Sequence, residues 1–81
     1  MPTIYAEDGF TVRIYTRDHR PPHVHVFYRD AEVIIAIGRA GQDPEVREVY
    51  DMHSRDVERA VEIVRENRDA FLHEWTEYHG G

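Results

Sequence analysis

The sequence predicts an α+β fold, an antiparallel sheet of three to four strands packed against one long C-terminal helix. Two patterns predict it. Short runs of alternating or apolar residues, parted by turn residues, fill the first fifty positions, and from Ser54 onward apolar residues recur at spacings of three, four or seven. Size sets a further bound. The 81 residues make one small domain, spanning 1–81. A chain this short buries only about 60–65% of its unfolded surface. It has no cysteine, so neither a disulfide nor a thiolate metal site braces it. Oligomerisation, as a homodimer or with another protein, is expected on stability grounds alone.

The elements follow in order. Residues 3–5 read as a short strand, closed by an Ala6–Gly9 turn with its Asp-Gly pair. Residues 10–15 alternate Phe10, Val12 and Ile14 with Thr11, Arg13 and Tyr15, the mark of a half-buried strand. The diproline Pro21-Pro22 makes 16–22 a loop, since two prolines cannot pair inside a sheet. Strand 23–28 puts Val24, Val26 and Tyr28 on one face and His23, His25 and Phe27 on the other. A tight turn at Arg29-Asp30 leads into 31–37, whose almost continuous apolar run predicts a central strand covered on both sides. Gly38-Arg39-Ala40-Gly41 ends it.

Residues 45–50 are ambiguous. Asp43-Pro44-Glu45 is a good helix start, whereas Val46, Glu48 and Tyr50 alternate with Arg47 and Val49 as in an edge strand, which we favour. The helix spans about 54–78, with Ser54 as its cap and Asp56 and Glu58 near its positive end. Its stripe is Val57, Val61, Val64, Phe71, Trp75 and Tyr78, widened by Ala60, Ile63 and Leu72. Arg68 interrupts that stripe, predicting either a bend near Asn67 or an end that packs on a partner. Gly80-Gly81 are the last two residues.

All ten cations are arginines, and they are unevenly balanced. Residues 1–40 hold five arginines and five acids, net zero, whereas residues 41–81 hold five arginines and eleven acids, net −6. The acidic half repels a phosphate backbone, so extended nucleic-acid binding is disfavoured while a local anion site stays open. No basic start precedes an apolar run, and the longest uncharged apolar run is Val33–Gly38. No secretion signal or membrane span is therefore expected, and the expected location is the cytoplasm.

Chemistry concentrates in residues 17–29, which hold three of the six histidines, three of the ten arginines and the diproline. His23 and His25, two apart on a strand, project from the same face with Cβ atoms roughly 6–7 Å apart. That separation lets both rings meet one metal ion. His19 is the candidate third ligand from the loop, and Asp18 or Asp30 the candidate carboxylate. A divalent metal is the one cofactor these residues suggest, held by a metal-binding regulator or by a metal-assisted RNA or nucleotide phosphodiesterase. Without metal, His23 and His25 are the candidate acid and base of an RNA or nucleotide phosphodiesterase, with Arg17, Arg20 and Arg29 as candidate phosphate contacts. A purely structural reading also stands, with the histidines hydrogen-bonded to carboxylates or stacked on Tyr15. On the helix, Phe71, Trp75 and Tyr78 form an aromatic stripe that serves as core or, where the helix overhangs the sheet, as a partner interface. His53, His73 and His79 and the acids Glu58, Glu62, Glu66, Asp69 and Glu77 read as solvated.

Several segments together carry a family resemblance: the opening Met-Pro-Thr-Ile-Tyr, the Asp-Gly-Phe turn, Pro-Pro-His-Val-His-Val, and the ending Glu-Asn-Arg-Asp-x-Phe-Leu-x-x-Trp-x-x-Tyr. From Pro2 to His79 the chain resembles a small bacterial domain-of-unknown-function family with a Pro-Pro-His-(Ile/Val)-His-Val motif. That motif falls on Pro21, Pro22, His23, His25 and Val26, with Trp75 on the helix. Members are typically encoded beside a second small protein, in pairs that resemble toxin–antitoxin modules. The resemblance therefore implies a cognate small protein from the adjacent gene as partner and brings no established catalytic residue. Val33–Ile37 is more apolar than the family leads one to expect.

Overall fold

The computed structural model describes residues 3–39 and 41–79. Ala40 in the expected strand-ending segment, Met1 and Pro2 of the opening, and Gly80-Gly81 after the helix lie outside the described residues. Five strands, β1 (Thr3–Glu7), β2 (Phe10–Arg13), β3 (His23–Tyr28), β4 (Ala31–Ala36) and β5 (Glu45–Tyr50), precede two helices, α1 (Ser54–Glu66) and α2 (Arg68–His79). The fold is α+β, but three to four strands and one helix undercount both element types. The strands form one antiparallel meander in the order β1-β2-β3-β4-β5.

Local chemistry explains the meander. β1 runs to Glu7, so the first turn shrinks to Asp8-Gly9, whose φ values of 52° and 84° suit a two-residue hairpin loop. β2 stops at Arg13, two residues early, and Ile14 continues into the core at no exposure. Arg29-Asp30 joins β3 to β4, closing on the Tyr28–Ala31 pair. β4 is central but not covered on both sides. Val33 and Ile35 are buried while Ile34 is only half-buried, so its apolar run serves one covered face and one partly open one. β5 is an edge strand, as is β1, and it is exposed along all six residues.

The core is the helix-covered face. Val12, Val26 and Val33 sit opposite one another across β2, β3 and β4, and all three are fully buried. Ala60, Ile63 and Val64 of α1 and Phe71 and Trp75 of α2 complete the same cluster. Phe10 stacks on Tyr28 at 4.3 Å between ring centroids, and Tyr5 meets Phe71 edge-on at 5.6 Å.

The helix breaks at Asn67. Its side-chain amide donates to the Ile63 carbonyl at 2.8 Å, competing with the backbone ladder, and its own φ of −117° leaves the helical region. Arg68, the interruption in the apolar stripe, turns its guanidinium to the Ile37 and Gln42 carbonyls, so it docks the second helix on the end of β4. Ser54 does not cap. The cap is His53, whose carbonyl accepts from the Asp56 and Val57 N–H groups at 2.9 Å, with no side-chain cap bond. Among the described residues, no helix is long and apolar enough to cross a membrane.

Ile63 joins α1 to the sheet with no exposure. Ile63→Ala is expected to cost about 2–5 kcal/mol, a large share of a small domain's stability, read as a lowered urea midpoint at unchanged slope.

Candidate metal centre

β3 carries His23 and His25 to the face opposite the Val24–Val26 core, yet both residues are only 8% exposed. The loop between β2 and β3 covers them. Asp18 donates its N–H to the Tyr15 carbonyl at 3.0 Å, a turn that brings the Asp18 carboxylate back over the strand. From the other side Trp75 of α2 approaches the His23 ring at 5.2 Å, and Tyr15 meets the His25 ring edge-on at 4.3 Å. The two imidazole centroids lie 5.5 Å apart.

One carboxylate oxygen serves both rings. Asp18 Oδ2 is 3.2 Å from His23 Nε2 and 2.9 Å from His25 Nε2. The opposite nitrogens are also occupied. His23 Nδ1 donates to the Pro21 carbonyl at 2.9 Å, and His25 Nδ1 lies 2.8 Å from Glu32 Oε2. Because a carbonyl can only accept, the Pro21 contact fixes the proton of His23 on Nδ1 and points Nε2 at Asp18. The Arg20–Pro21 peptide bond in this loop is cis.

Asp18, His23 and His25 offer three ligand atoms that all lie within 4.8 Å of one another. At metal–ligand distances of about 2.1 Å, ligands at right angles sit about 3.0 Å apart. The observed 2.9 and 3.2 Å edges match that spacing, although an N–H···O hydrogen bond has the same length. The outer contacts are of the kind that orient metal-bound histidines, with a backbone carbonyl on one ring and a carboxylate on the other.

The remaining sequence candidates distribute unevenly. His19 is exposed and lines a cavity of about 380 Å³ beside His23, but Asp18, not His19, is the third member of the ligand cluster. Asp30 sits in the β3–β4 turn at the far end of the strand. Arg17 and Arg20 line the cavity. Arg29 does not join them; it lies in the far turn, its guanidinium 5.2 Å from the Tyr28 ring. Phe71 and Trp75 are 2% and 1% exposed, spent on the chain's own core, so of the expected aromatic interface only Tyr78 faces outward. A larger cavity of about 810 Å³, between Pro21, Pro22, Arg39 and Leu72, contains no histidine.

Glu32 and Arg47 are the functional candidates that the sequence reading misses. Glu32 was within reach of it: the Arg29-Asp30 turn pairs Phe27 with Glu32 and His25 with Ile34, which makes Glu32 a diagonal neighbour of His25 on the same face. Arg47 reaches the cavity with Glu48 from β5. Tyr50 donates its hydroxyl to Glu48, and that bond raises the phenol above its ordinary pKa.

A small α+β domain with two histidines and one carboxylate converging on an inner strand is the class of protein that this fold and site define. The family model for a domain of unknown function, DUF4160, matches residues 9–76, and the chain belongs to that family. No curated protein and no solved structure matches it.

The Pro21 contact makes a spectroscopic prediction. Long-range 1H–15N correlation spectra should show His23 protonated at Nδ1, and a ring carrying its only proton on Nε2 would contradict the geometry.

Proposed function

We propose that the domain is a metal-dependent module in which Asp18, His23 and His25 hold one divalent transition-metal ion. A proton count carries this reading. Four ring nitrogens face four acceptor contacts: the Pro21 carbonyl, Glu32, and Asp18 twice. Two neutral imidazoles carry one N–H each, so two of the four contacts lack a proton. One divalent cation between the two Nε2 atoms and Asp18 Oδ2 supplies both missing charges at once. In that arrangement His23 and His25 ligate through Nε2 and Asp18 through Oδ2. Pro21 and Glu32 hold the rings in the required orientation.

Two histidines and one carboxylate leave coordination positions open, and the bound ion supplies Lewis-acid activation of water or of a substrate oxygen there. This supports a metal-assisted role over the metal-independent phosphodiesterase. The competing arrangement is two doubly protonated rings neutralised by Asp18 and Glu32, which is structural and needs no metal.

Cobalt(II) separates them. Chelator-treated, tag-free protein titrated with cobalt(II) should develop visible d–d bands at one equivalent and melt at higher temperature. His23→Ala and His25→Ala should each abolish the bands. A wild-type protein with neither bands nor a thermal shift would remove the metal reading.

The family resemblance supports a second proposal, that the domain acts with a cognate small protein encoded beside it, in the cytoplasm. The observation favouring it is a groove of about 410 Å³ between β5 and α1, lined by Val46, Val57 and Val61 and rimmed by Glu58, Glu62 and Arg65. Val46 is 37% and Val49 46% exposed. The apolar floor suits an apolar edge of a partner protein. Co-expression of the adjacent gene product should give one co-eluting peak in size-exclusion chromatography that Val46→Glu disperses. Separate elution with wild type would refute the pairing.

A further inference from the structure

β5 carries a bulge. Ile34 pairs with Glu48 and Ile35 with Val46, which leaves Arg47 as the extra residue. In a regular strand Arg47 and Glu48 would point to opposite faces. Here both line the cavity beside the histidines, together with Arg17, Arg20 and His19 from the loop. The bulge thus brings an arginine from β5, beside Glu48, to a cavity otherwise lined by His23 of β3, its preceding loop and Ile34 of β4. Three arginines face two carboxylates in that cavity, and one of the carboxylates, Asp18, already serves His23 and His25.

We propose that this cavity binds the phosphate group of a small phosphorylated ligand, with Arg17 and Arg47 gripping its oxygens beside the metal. The proposal rests on the metal reading, because the ion's open positions would face the same phosphate. Guanidinium forks match tetrahedral oxyanions and keep their charge at any working pH. The volume of about 380 Å³ falls at the small end of ligand sites. The surroundings select against a polyanion. Residues 41–81 carry a net −6, so a long nucleic-acid strand crossing β5 and the helices would meet repulsion that a single phosphate ester avoids.

The test is calorimetry at fixed ionic strength on cobalt-loaded and on chelated protein, with inorganic phosphate, phenyl phosphate and a single-stranded oligonucleotide lacking terminal phosphate. The cobalt-loaded wild type should bind both phosphates and bind the oligonucleotide more weakly. Arg47→Ala and Arg17→Ala should each weaken phosphate binding about tenfold, the loss of one charge-assisted hydrogen bond, while the cobalt bands persist. Arg47→Lys, which keeps the charge and loses the fork, should fall between, and Arg29→Ala should match wild type. Circular dichroism checks that each variant is folded.

Equal phosphate affinity in wild type, Arg47→Ala and Arg47→Lys would overturn the assignment. A cobalt-loaded wild type that binds no phosphate would do so too, leaving the metal reading intact. Tighter binding of the oligonucleotide than of phenyl phosphate would overturn the ligand class. If no cobalt bands form, the metal reading fails by itself. Phosphate binding by chelated protein that still depends on Arg47 would then uphold the anion site, and its absence would end it.

Discussion

A single carboxylate oxygen, Asp18 Oδ2, lies against two buried imidazoles, and much of the molecule is arranged so that this contact can exist. Burying charged or polar groups is costly unless every one is partnered. His23 and His25 are 8% exposed and face acceptors at all four ring nitrogens, a set of contacts that two neutral rings fill only by half and that a bound cation or full protonation completes. The arrangement needs β3 held straight between β2 and β4, and the Val12–Val26–Val33 row does this from the helix-covered face. It needs the loop before β3 to double back, which the Tyr15–Asp18 turn provides. It also needs a lid at the start of the strand, which Trp75 supplies from α2.

Much of this fold is legible in the residues. The alternation of Phe10, Val12 and Ile14, and of Val24 and Val26, marks strands because a half-buried strand has a side-chain period of two. The stripe through Val57, Val61 and Val64 marks a helix for the corresponding reason. What escapes are contests between near-equal local options. Ser54 has the better capping side chain, but the chain enters the helix one residue earlier and uses a backbone carbonyl of His53 instead. Asn67 ends one helix because its amide reaches the Ile63 carbonyl, an outcome that spacing only hints at through the misplaced Arg68.

The site divides along the same line. His23 and His25 share a face by strand geometry alone, and Glu32 follows once the Arg29-Asp30 turn sets the register. Asp18 and Asp30 are equally near the histidines in sequence, and only the path of the loop separates them. Among the arginines, Arg29 belongs to the dense run of charged residues but sits at the wrong end of the strand. Arg47 is remote in sequence and arrives through an irregularity that no residue pattern announces. Proximity along the chain was therefore a good guide to the histidines and a poor one to the cations around them.

The bulge in β5 has a second consequence, for colloidal behaviour. An outer strand exposed along its whole length, with two valines and a tyrosine on show, is the kind of element that recruits further strands and seeds fibrils. An extra residue at Arg47 breaks the even row of backbone donors and acceptors that an incoming strand would need, and Glu45, Arg47 and Glu48 add charge along it. The irregularity that brings Arg47 to the cavity therefore also blunts this margin of the sheet, and a repair that made β5 regular would exchange a cavity-lining cation for a sticky edge.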